Sequence, residues 1–105
     1  MIEIYPDRAR GRCRLLVTGH AESGKEHDAV CAGVSALVSA LVLHARSTPQ
    51  RHLRYSMASG EVFLAGMEQG EGYALVMRGL HAIQQAYPGH LKICDMAVDD
   101  KCTAV

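Results

Sequence analysis

From Ala29 to Leu43 the chain runs fifteen residues without a charge. Asp28 stands before the run and Ser47-Thr48-Pro49 closes it. Val30, Val34, Leu37 and Leu41 recur at i, i+4, i+7 and i+11, the spacing of one helical stripe. Ala29, Ala32, Ala36 and Ala40 form a small-residue flank beside it. The pattern predicts a helix from Ala29 to about Arg46, N-capped by the Asp28 carboxylate. It is apolar almost all round and is therefore expected to be largely buried. A membrane span needs about 18 or more apolar residues, so the covering must come from the rest of the chain. With 105 residues there is room for one domain, spanning 1–105. The chain has no Trp and one Phe, so its core must be aliphatic.

The flanking segments supply a sheet. Ile2–Tyr5 and Arg12–Thr18 alternate in hydrophobicity as strands do, the second with Cys13, Leu15 and Val17 on one face. Pro6-Asp7 and Gly11 read as the turn region between them. Leu53–Met57 and Glu61–Ala65 read as a hairpin about Ala58-Ser59-Gly60. A second helix is expected from about Tyr73 to Tyr87, stopped by Pro88-Gly89. Leu91–Cys94 reads as a last strand and 95–105 as a frayed tail. The predicted order is ββαββαβ. This is an α+β, two-layer arrangement, a mainly antiparallel sheet with two helices on one face.

Lys and Arg together number 11, as do Asp and Glu, so the net charge is zero. A general nucleic-acid binder needs a basic surplus, and none is expected here. The four cysteines, Cys13, Cys31, Cys94 and Cys102, form no CxxC pair, which excludes a zinc knuckle and a thioredoxin motif. His44, His52, His81 and His90 fall at no metal-ligand spacing, so no metal is expected. Gly24-Lys25 lacks the rest of a P-loop, and no other cofactor motif stands out. Met1–Asp7 has no basic n-region followed by an apolar stretch, unlike a signal peptide. The expected setting is a reducing cytoplasm with free thiols and no membrane.

Cys31 draws attention by position. With Asp28 as cap it lies in the first helical turn, where backbone amides favour a thiolate. The Asp28 carboxylate opposes that. The plain alternative is a small buried hydrophobe, the default also for Cys13, Cys94 and Cys102. A nucleophilic cysteine needs a base. His20, after Gly19 at a strand end, and His27, four residues before Cys31, are rivals by spacing alone. For His27 an exposed loop position is the plain reading. Ser35, one turn after Cys31, either supports the site or bonds back to the Cys31 carbonyl. Ala21, Glu22, Ser23, Gly24, Lys25, Glu26 and His27 read as a mobile loop, which Gly19 and Gly24 would let bend over a substrate.

The run Gly19-His20-Ala21, then Gly24, then Asp28-Ala29-Val30-Cys31-Ala32-Gly33-Val34-Ser35, resembles the Prp (YsxB-like) family of ribosomal-processing cysteine proteases. The likeness extends from about Ile2 to Cys94 and includes Tyr87-Pro88 after the second helix. The resemblance implies a nucleophile at Cys31 and its histidine at His20, with Asp28 and Ser35 as supporting positions. It implies an α+β fold and a homodimer. It also implies a substrate: a large-subunit ribosomal protein, number twenty-seven of the L series, whose short N-terminal extension is removed after an aromatic residue. Two other expectations stand beside it. One is a non-enzymatic module of the same fold that binds a ribosomal protein; the other is a thiol redox switch at Cys31.

Overall fold

A computed structural model describes residues 1–19, 24–48, 52–58, 60–68 and 70–94. The elements run β1 (Ile2–Ala9), β2 (Arg12–Thr18), α1 (Lys25–Ser47), β3 (Arg54–Ala58), β4 (Glu61–Glu68), α2 (Glu71–Ala86) and β5 (Leu91–Ile93). The sheet order is β3-β4-β2-β1-β5, with only the β1–β5 pair parallel. Alternation places Ile2, Ile4, Cys13, Leu15, Val17, Leu64 and Leu91 on one face. There they join the buried sides of both helices in one hydrophobic cluster. The α+β, two-layer expectation matches the fold. The expected tail, 95–105, lies outside the described residues.

Strand β1 runs past Pro6 to Ala9, beyond the turn expected there. Strand β5 covers β1 only from Ile2 to Ile4, so Pro6 stands where β1 is an edge and its missing N–H need cost no ladder bond. The reversal falls instead at Arg10-Gly11, with φ of 56° and 76°, the positive pair of a tight hairpin turn.

Helix α1 begins at Lys25, four residues before the expected start, with Gly24 as its cap residue. Its buried residues are His27, Val30, Val34, Val38, Leu41, Val42 and Ala45. The alanine flank is exposed, and Leu43 is 60% exposed. The expectation of a largely buried helix is thus corrected: one side packs on the sheet and the other meets solvent. At 23 residues α1 is long and apolar enough to cross a membrane by length and composition, yet its packed side closes the core. Thr48, in extended conformation, ends the helix before Pro49. The Ser47 hydroxyl donates to the His44 carbonyl at 2.9 Å, satisfying an orphan carbonyl of the last turn. Gly72 of α2 lies beside His44, and Ile83 beside Gly33, so the two helices run antiparallel.

Candidate active site

Cys31 lies in the second turn of α1, half-buried and packed against the edge of the core cluster. A groove of about 500 Å³ opens there. Val17, Val34, Val38 and Val62 give it apolar walls, while Cys31 and Ser35 face it from α1. Met57 and Ala58 of the edge strand β3 close the opposite side. Ser35, one turn beyond Cys31, is exposed. The groove thus brings a thiol beside a largely apolar hollow open to solvent.

Gly19 borders the same groove at the end of β2. Its φ is 129° and its N–H donates to the Gly60 carbonyl at 3.1 Å. A Cβ there would press on the Met1 carbonyl oxygen and lie 2.8 Å from the Ile2 Cα. Only glycine fits, and it fixes where the chain leaves the strand. His20, Ala21, Glu22 and Ser23 lie outside the described residues, so the expected His20–Cys31 pairing and that part of the loop go without a geometry.

The rest of the expected loop is helical. Lys25, Glu26 and His27 form the first turn of α1. Asp28 is consequently not the N-cap: its own N–H donates to the Gly24 carbonyl at 2.9 Å, as an intrahelical bond. The correction moves Cys31 from the first turn to the second, where the terminal amides no longer reach it. Burial pushes the Cys31 thiol up, the Asp28 carboxylate pushes it further, and the Met1 ammonium opposes both. The balance that the sequence left open thus tips towards the neutral thiol.

His27 is 1% exposed, which overturns the exposed-loop reading. Its Nδ1 lies 3.4 Å from Nδ1 of His90, and its Nε2 is buried without a partner among the described residues. The His90 Nε2 in turn meets Glu26 at 3.3 Å. The signal was in the sequence, since His27 stands three residues before Val30 on the same stripe. A helix started four residues earlier would have placed it in the core. Cys13 is buried, as expected, with its thiol pushed up to about 11. Among the described residues no cluster of three or more His, Cys, Asp or Glu stands ready for a metal.

The sequence profile described as "Cysteine protease Prp" matches residues 1–92. The chain belongs to the Prp family of cysteine proteases. Peptide-bond hydrolysis by a cysteine is thus its chemistry. Solved structures share the fold of this Prp-family chain. One is of Prp from S. aureus with a substrate peptide, described as an essential ribosomal processing protease. It aligns at a TM-score of 0.72 and 19% identity, covering 90% of this chain and 99% of that one. A second, of the same protein with a covalently linked product peptide, gives 0.69 and 21%, covering 90% and 99%. SMU.848 from Streptococcus mutans gives 0.69 and 22%, covering 91% and 99%. No curated protein sequence matches the chain.

Proposed function

We propose that this Prp-family protease removes the N-terminal extension of a large-subunit ribosomal protein, number twenty-seven of the L series. Cys31 is the nucleophile and His20 its partner. The observation that carries the reading is Cys31 facing a groove of about 500 Å³ that Gly19, the residue before His20, also lines. A groove of that character suits a peptide with an apolar side chain next to the cut. His20 acts first as a base. It takes the proton as the sulfur attacks the scissile carbonyl, then delivers it to the leaving amine, and water releases the thioester. Main-chain amides beside the groove are the candidate donors to the developing oxyanion. Asp28 and Ser35 are supporting positions, Asp28 by holding the thiol protonated until substrate arrives.

A redox sensor requires an accessible, low-pKa cysteine. The Asp28 carboxylate beside Cys31 works against a low-pKa thiol. The protein is placed in the cytoplasm, where a newly made ribosomal protein is met. It is also proposed to be a homodimer, formed through the helix layer, where Leu43 and Leu75 are 60% and 70% exposed. Sedimentation of Leu43→Arg as a monomer supports that surface, and an unchanged dimer removes it. The enzymatic reading is tested by incubating wild type, Cys31→Ala and His20→Ala with the extended ribosomal protein. Cleavage by wild type alone is expected. Full activity in His20→Ala would return the base role to His27, and binding without cleavage by wild type would favour the non-enzymatic module.

A further inference from the structure

Among the described residues, strand β3 offers a long apolar side chain that the core does not use. All five residues of the strand are exposed. Its register with β4 puts Tyr55 beside Leu64 and Met57 beside Val62. Partners across a ladder share a face, and Leu64 is buried in the core. Tyr55 and Met57 therefore stand on the helix side of the sheet. Tyr55 is engaged there, since the Arg46 guanidinium of α1 lies over its ring, 5.7 Å from the centroid. Met57 is 50% exposed and takes no part in the hydrophobic cluster against which Val62 and Cys31 pack.

The second observation is the row to which Met57 belongs. Across the sheet it reads Ile4, Val17, Val62, Met57. Ile4 and Val17 are buried, Val62 is half-buried and Met57 is exposed. The outer part of this row, from Val17 to Met57, lines the groove that Cys31 faces. Met57 and Val17 are separated by two strand spacings, about 10 Å. From α1 the groove meets Ser35 and Ser39, one and two turns beyond Cys31. Neither serine offers Met57 an apolar partner. An isolated exposed methionine needs no explanation. This one stands at the mouth of a largely apolar hollow beside a thiol. Its unbranched thioether has three rotatable bonds and can fold over what enters.

We propose that Met57 is a specificity-determining residue, closing over a large apolar side chain of the substrate that rests on Val17 and Val62 beside Cys31. This rests on the reading of Cys31 as the nucleophile. A substrate with a small or charged side chain in that place leaves Met57 and Val62 in water and gains nothing from either.

The first experiment needs no proteolysis, so the two readings can fail separately. The whole protein is alkylated with iodoacetamide or with N-benzyliodoacetamide, and the rate at Cys31 is read by peptide mass spectrometry. The half-buried Cys94 of the same molecule serves as reference. The benzyl reagent should label Cys31 faster than iodoacetamide does, saturably, and without the same gain at Cys94. Met57→Ala should reduce that preference about fivefold, roughly the worth of one buried methylene group. Met57→Leu, of similar size, should retain most of it. The second experiment compares kcat/KM for two substrate peptides with Phe or Ala beside the cut, and the Phe-over-Ala ratio should fall about fivefold in Met57→Ala. A benzyl preference that is equal at Cys31 and Cys94, or that survives Met57→Ala, would overturn the proposal, as would an unchanged Phe-over-Ala ratio. A benzyl preference that depends on Met57 in a protein that cuts no peptide would uphold the subsite and remove the proteolytic reading.

Discussion

At Cys31 three influences meet. Burial and the Asp28 carboxylate favour the neutral thiol, and the positive charge at Met1 favours the thiolate. The first two prevail, so the fraction of thiolate rises only as pH climbs past the ordinary thiol range. Alkylation of Cys31 by iodoacetamide, followed by peptide mass spectrometry, should therefore keep accelerating well into alkaline solution. Asp28→Asn removes a negative neighbour, lowers the thiol pKa, and should raise the rate at pH 8 about twofold, the usual contribution of one charge a helical turn away. An unchanged or slower rate would remove Asp28 as the brake. Gly19 is the other residue on which the site depends. Gly19→Ala combines a forbidden φ with a clash on Met1 and Ile2, and should cost roughly 1–3 kcal/mol. Thermal melting would then fall by about 4 °C or more. The place of Cys31 near the start of a helix was legible in the sequence, from the apolar stripe that follows it. Its ionisation was not, because that depends on whether the helix begins at Asp28 or four residues earlier.

Those four residues are also what the element scale turns on. Nothing at Gly24-Lys25 resembles a capping side chain, and Gly24 makes no side-chain cap bond, so sequence signals favoured Asp28. Tertiary burial of His27 extended the helix regardless. The apolar run itself misled in the other direction, since alanines suit an exposed helix surface as well as a core. The antiparallel contact of α1 and α2 is set by two glycines. A Cβ at Gly33 would lie 3.2 Å from the Ile83 Cδ1, whereas one at Gly79 would lie 2.8 Å from Leu37. Gly79→Val should separate the helices and cost about 1–3 kcal/mol, read as a lower urea midpoint. In the sheet, Cys13 carries a pH signature. Its thiol is pushed up to about 11 by burial, so above pH 9 the unfolded chain loses a proton that the folded chain keeps. Stability should then fall as pH rises from about 9 to 11, by an amount on the order of 1–2 kcal/mol from this group. Tyr73, raised chiefly by burial, adds to the fall above about pH 10, the unfolded tyrosine range. Cys13→Ala should flatten the first part of that decline in urea titrations, and an equally steep decline would contradict the assignment.

For the molecule as a whole, most of the architecture was legible because the two periodicities are strong. Arg12–Thr18 was bounded to the residue by its alternation and by Gly11 and Gly19. Pro6 misled, because sequence alone does not reveal that β1 becomes an edge beyond Ile4. Zero net charge excluded a strongly basic protein. The central claim concerns the helix side of the sheet, where Cys31 faces the groove. Intact-mass spectrometry of the extended ribosomal protein tests it most directly, after incubation with wild type or Cys31→Ala. The expected result is loss of a single N-terminal fragment with wild type, cut after an aromatic residue, and an unaltered mass with Cys31→Ala. The same fragment released by Cys31→Ala would contradict the account.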